Sequence, residues 1–190
     1  MKQAVLKLQL VGHRGGTRPA TDIAARVRQH FEELRAPVYA YARTIVHRPE
    51  VAEDLTQETF LRLYSHLSEG NDVDSVKAWA FRVCHNLAMN HLKKNPRDVV
   101  HEYGRTNGDG RNGPGDQMVA VEPDPERRLL EKERYQRLGQ GIGQLTEHQK
   151  RCLYLRAEGF RYREIAEQLN ITISSVVDTL TRAVERLRKA

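Results

Sequence analysis

The chain closes on NITISSVVDTLTRAVERLRK, residues Asn170–Lys189, and the reading of this stretch decides the fold. Val176, Leu180, Ala183, Val184 and Leu187 recur at helical spacing and make one apolar stripe. Thr172 stands where an N-cap belongs. Asn170 tolerates the left-handed conformation that stops a preceding helix. That preceding helix is RYREIAEQL, Arg161–Leu169, with Ile165, Ala166 and Leu169 turned inward. The small Ala166 lets the two helices cross closely. Two short helices, a tight turn and a basic end to the second helix predict a helix-turn-helix.

The predicted outer face of the second helix carries Ser174, Ser175, Asp178, Thr179, Arg182 and Arg186. The hydroxyls offer neutral hydrogen bonds and the arginines can hold phosphates. Asp178 is the awkward member, because a carboxylate repels phosphate. It can accept a hydrogen bond from the amino group of cytosine. It can equally stabilise the first turns of the helix through the macrodipole. Either way, this unit alone should bind DNA weakly.

Upstream, LTEHQ (Leu145–Gln149) sets Thr146 as N-cap with Gln149 three residues on, a capping box. Gly159 can end that helix in the left-handed conformation. Helical periodicity begins again at Glu126. Before it lies NPRDVVHEYGRTNGDGRNGPGDQMVAVEPDP, rich in Gly, Pro, Asn and Asp and without apolar period; residues 96–125 read as a flexible linker.

The N-terminal half is helical from Asp22, a candidate N-cap, to about Lys94. Pro37 suits the first turn of a helix and not its interior. The expectation is therefore a break near Ala36, a new helix from Pro37 to Val46, a third over Glu50–Leu67 and a fourth over Ser75–Lys94. Within AEDLTQETFLRLY (Ala52–Tyr64), Asp54, Gln57, Glu58 and Leu61 share one face, with Leu55, Thr59, Leu63 and Leu67 opposite. The second set is core. The first is an acidic surface with a leucine in it, suited to a basic protein partner. In SVKAWAFRVCHNLAMNHLKK (Ser75–Lys94), Trp79, Val83 and Leu87 line one side, and Trp79 reads as core. Lys77, Arg82, His85, Asn86, Asn90, Lys93 and Lys94 supply basic and amide groups that suit strand-separated DNA.

The fold class is thus all-α: two small helical domains joined by a flexible linker, the C-terminal one a helix-turn-helix. Residues 4–11 are the only stretch that could pass for a strand. The chain of 190 residues carries a net charge of +6, which favours polyanionic partners. Mean hydropathy is −0.67, and no apolar run approaches the ~20 residues of a membrane span. The first 21 residues hold no signal-peptide pattern and read as a disordered arm of a cytoplasmic protein. Cys84 and Cys152 read as free thiols. His148 and Cys152, four apart, offer two of the four ligands a closed zinc site needs. No metal or other cofactor is expected. There is no phosphate-binding glycine loop, nucleophile motif or carboxylate pair to suggest an enzyme. A stand-alone helix-turn-helix regulator would leave the acidic face unexplained.

Taken in order, AEDLTQETFLRLYSHL, VKAWAFRVCHNLAMNHLKK and LTEHQKRCLYLRAEGFRYREIAEQLNITISSVVDTLTRAVERLRK resemble the extracytoplasmic-function sigma factors of the sigma-70 family. The resemblance covers residues 25–95 and 126–188. It implies a first domain (residues 22–95, region 2) that docks on the β′ clamp of core RNA polymerase through Asp54, Gln57, Glu58 and Leu61. That domain would also recognise and open the −10 element with residues 68–94. The resemblance further implies a second domain (126–190, region 4) that binds the −35 element, contact with both β′ and β subunits, and control by an anti-sigma protein. Val177 and Thr179 stand where the family usually has Lys and Arg, a departure that bears on the strength and sequence of −35 recognition. Cys84-His85 stands where a small residue and Arg are common, and Asn90 where Asp is common. Asn170 replaces the usual Gly.

Overall fold

Pro37 lies inside a helix. Helix α1 runs unbroken over Ala20–Arg43, so the break expected near Ala36 does not occur. Pro37 has no N–H to give the carbonyl one turn back, a defect of about 3 kcal/mol. Burial outweighs it. Val27, Val38, Tyr41 and Ala42, on both sides of the proline, are fully buried on one stripe against the next two helices. Each such aliphatic side chain contributes about 1.5–3 kcal/mol. Asp22 is consequently not a cap: the helix has begun by Ala20, and Asp22 sits in its first turn.

The structure, a computed structural model, describes residues 20–95, 134 and 136–189. The linker 96–125, the greater part of the N-terminal arm and the start of the second helical region at Glu126 lie outside the described residues. So does the strand considered at residues 4–11. The chain divides into two compact units, at Tyr103/Gly104. Every described element is a helix or a turn.

In the first unit, α2 spans Pro49–Ser68 and α3 spans Val76–Lys94. Pro49 occupies the first turn of α2, where its fixed φ suits the helix. Ser75 is the N-cap of α3, its Oγ accepting the Ala78 N–H at 3.2 Å. The core face of α2 is wider than the apolar residues predict, because Thr56 and Thr59 are buried with the leucines. Their hydroxyls donate to the carbonyls of Ala52 (2.7 Å) and Leu55 (2.8 Å) one turn back, which satisfies them within the helix. Phe60 meets Phe31 edge to face at 5.1 Å between ring centroids.

In the second unit, α4 covers residues 136–143, followed by α5 (Glu147–Ala157), α6 (Tyr162–Leu169) and α7 (Ile173–Lys189). These short helices depend on their ends. Thr146 and Gln149 form the expected capping box. Gly159 (φ +90°) turns the chain after α5, and Asn170 (φ 54°, ψ 49°) stops α6 in the left-handed region. Thr172 Oγ1 accepts the Ser175 N–H at 3.2 Å and so caps α7. Leu145, Cys152, Leu155, Phe160, Ile165, Ala166, Val176, Leu180 and Ala183 form the core between α5, α6 and α7.

Candidate nucleic-acid and polymerase interfaces

On α7 the helical repeat sorts the predicted face into three grades. Ser174, Asp178 and Arg182 are exposed, while Ser175 and Thr179 are half-buried. Arg186 is exposed, but its Nη1 donates to Gln149 Oε1 at 3.0 Å. Ser174 and Ser175 both place their hydroxyls on Thr172 Oγ1, at 2.9 and 2.8 Å. The helix start is therefore a small hydroxyl cluster with neutral donors and acceptors. Val184, expected in the core stripe, is 39 % exposed, and Val177 is 40 % exposed. Val184 lies one residue, or 100°, past the buried Ala183, which carries it over the edge of the stripe.

On α3 the expected set divides. Arg82, Asn86, Asn90, Lys93 and Lys94 are exposed. Lys77 is half-buried, with its ammonium 6.0 Å from the centroid of the Phe81 ring, on the other side of the helix from Asn86 and Asn90. His85 is a correction. It is buried in the core, and its Nδ1 lies 2.9 Å from the Tyr41 hydroxyl of α1. Its position on the helix points it at α1 and not at solvent. The apolar side is also corrected: Ala80, Phe81, Cys84 and Ala88 form the buried face. Trp79, Val83 and Leu87 are half-exposed. Trp79 stacks obliquely on His66, ring centroids 5.5 Å apart.

On α2 the structure brings Asp54, Gln57, Glu58 and Leu61 to one solvent-facing strip, Asp54 exposed and the others half-buried. The strip is less acidic than its sequence implies. Glu58 pairs with Arg62 at 2.9 Å, and the neighbouring Glu53 pairs with Arg35 of α1 at 3.1 Å. These partners set alternating charges around Leu61.

The thiols lie away from these surfaces. Both are free and buried. Burial pushes the Cys84 thiol up to about 12, against a small opposing effect of the Thr59 hydroxyl. Burial pushes Cys152 up to about 11, partly offset by Arg151. Cys152 Sγ is 3.9 Å from His148 Nε2, and the same burial, aided by Arg151, holds the imidazole below its ordinary range. Among the described residues no three His, Cys, Asp or Glu side chains gather as metal ligands. No described helix is long and apolar enough to cross a membrane.

A capped helix pair with a hydroxyl and arginine face, in a chain that also folds a three-helix unit, defines a helix-turn-helix DNA-binding protein with a second functional unit. Comparison with known proteins identifies which kind. Sigma-70 region 2 matches residues 30–98, and Sigma-70 region 4 matches residues 135–187. The RNA polymerase sigma-H factor of Pseudomonas aeruginosa is 31 % identical over 151 residues, covering 76 % of this chain and 75 % of that protein. The RNA polymerase sigma factor YlaC of Bacillus subtilis is 27 % identical over 163 residues, covering 85 % and 87 %. The solved structure of the sigma factor RpoE in complex with the anti-sigma factor NepR from Bartonella quintana matches with a TM-score of 0.60 at 20 % identity. That match spans 86 % of this chain and 95 % of the solved one, and it supports the fold. The chain belongs to the sigma-70 family and is an RNA polymerase sigma factor of the extracytoplasmic-function type.

Proposed function

We propose that this sigma factor docks on the β′ clamp and β subunits of core RNA polymerase in the cytoplasm and directs it to promoters with separate −10 and −35 elements. The observation that carries the reading is the order of the two family matches, each falling on a unit with a suitable surface. The Asp54–Gln57–Glu58–Leu61 strip is the polymerase-docking face. Its ion pairs would exchange partners on docking, which suits specificity of encounter more than raw affinity.

Arg82, Asn86, Asn90, Lys93 and Lys94 contact the opened −10 strand. Exposed amides can meet base edges while the cations follow the backbone. The half-exposed Trp79 extends that surface, and His85 is no part of it. Ser174, Ser175, Asp178, Thr179 and Arg182 face the −35 element. Val177 and Thr179 provide no charge, so this helix binds weakly by itself. Tethering through polymerase makes its contact effectively intramolecular. An anti-sigma protein is the regulator; the structurally similar Bartonella sigma factor was solved in complex with one.

Core polymerase mixed with the protein and with fragmented DNA from its host tests the reading by mapping transcription starts. Dependent starts sharing two spaced upstream motifs are expected, and Glu58→Lys should weaken polymerase binding. Folded protein with no polymerase binding and no dependent starts would overturn the reading.

A further inference from the structure

The last turn of α7 is tied to the first turn of α5. Gln149 Oε1 accepts two hydrogen bonds, one from Arg186 Nη1 at 3.0 Å and one from the Thr146 N–H at 3.1 Å. Thr146 Oγ1 accepts the Gln149 N–H in return, at 3.3 Å. Gln149 is only 6 % exposed. One buried amide oxygen thus joins the end of the reading helix to the N-cap of a helix 37 residues earlier.

The helical repeat accounts for the placement. At 100° per residue, Arg186 lies about 40° round from the exposed Arg182 and about 20° from the half-buried Thr179. It stands where the outward face of α7 meets α5. A charge-assisted bond to a buried acceptor is among the stronger hydrogen bonds of a protein. The bond commits one edge of the guanidinium to α5, so swinging the side chain away to a phosphate would sacrifice it.

We infer that Arg186 is a positioning residue for −35 recognition and not one of its phosphate contacts. It fixes the tilt of α7 on α5. Ser174 lies twelve residues away along the helix, about 18 Å. A tilt of about 5° about the Arg186 end would displace Ser174 by roughly 1.6 Å, far beyond the range of a base-edge hydrogen bond. The tie therefore acts at a distance, on the residues that reach the groove. This inference rests on the −35 reading proposed above.

The test uses full-length protein with core polymerase on a promoter found by start-site mapping. Binding is measured over a series of salt concentrations, with the promoter's own −35 element and with a scrambled one. Arg186→Ala should reduce discrimination between the two about tenfold, as expected for one well-placed base contact, and leave the salt slope unchanged. Gln149→Ala should do the same, and the double variant should be no worse than either single one. Arg182→Ala, the phosphate control, should lower the slope by about one. Thr146→Ala removes the cap but keeps the Arg186 acceptor, so it should preserve discrimination.

Arg186→Lys and Gln149→Glu keep a donor and an acceptor in place. They should retain discrimination, and they carry the test if an alanine variant does not fold. A slope reduced by about one in Arg186→Ala would overturn the inference, as would additive losses in the double variant. Weakened binding in Gln149→Glu would show the carboxylate drawing Arg186 off the phosphate, and would overturn it too. Wild-type protein that ignores the scrambling would overturn the −35 reading itself, and the positioning role with it.

Discussion

The two units hold their helices in opposite ways. The first has long helices of 24, 20 and 19 residues with few side-chain caps, and α2 begins with no side-chain cap at all. The second builds α5, α6 and α7 from 11, 8 and 17 residues and finishes almost every end with specific chemistry. A helix of eight residues does not recover its nucleation cost from its own hydrogen bonds. It needs caps and a packed face. A helix of twenty residues dilutes the same end defects and can even absorb a proline. The units also differ in core polarity: the first buries Thr56, Thr59 and His85, the second the amides Gln149 and Gln168.

Breaking the packing of the first unit should have the largest effect. Phe81 is fully buried, and Phe81→Ala should cost about 3–5 kcal/mol, read as loss of amide-exchange protection in α1–α3. Tyr41→Phe keeps the ring and removes the hydroxyl that meets His85 Nδ1. With a buried polar partner disturbed, it should cost about 1–3 kcal/mol in chemical denaturation.

The second unit should be more sensitive at its ends. Thr146→Ala deletes half of the capping box and should cost about 1 kcal/mol, with exchange accelerated first at the start of α5. Arg48 gives α2 no side-chain cap hydrogen bond, so Arg48→Ala should not speed exchange at the first turn of α2, and acceleration there would collapse the contrast between the units. At Asn170 the size of the effect should depend on the replacement. Asn170→Gly should alter stability by only a few tenths of a kcal/mol, since glycine adopts this backbone freely. Asn170→Val should cost about 1–2 kcal/mol. Equal melting of the two variants would mean that the left-handed stop is not maintained.

This contrast also decides how much could be read in advance. The capping box at Thr146, the left-handed Gly159 and Asn170, and the Thr172 cap are local signals, and each was legible within a few residues. The all-helical class and the exposed strip on α2 were legible from periodicity. What escaped depends on partners far along the chain. Pro37 was overridden by burial of Val38 and Tyr41 against α2 and α3. His85 looked like a DNA ligand because it sits among basic and amide residues, and only Tyr41, 44 residues earlier, reveals it as core. The hydrogen bond from Arg186 to Gln149, 37 residues earlier, likewise had no local signal. Thr56 and Thr59 were hidden by their own helix, which satisfies their hydroxyls. The half-exposure of Trp79 had no sequence signal, since Ala80 and Ala88 let α3 roll its smaller residues inward.

Each described unit contains one buried thiol, Cys84 in the first and Cys152 in the second. Folded, both are protonated at neutral pH and shielded from solvent, so an alkylating reagent meets them only when the surrounding helices part. The two cysteines are therefore natural clocks. At neutral pH, the labelling rate of Cys84 times the opening of the α1–α3 core, and that of Cys152 times the opening of the helix-turn-helix. The opening free energies of both halves can be read from one reaction mixture, resolved by mass, without adding a probe to the chain.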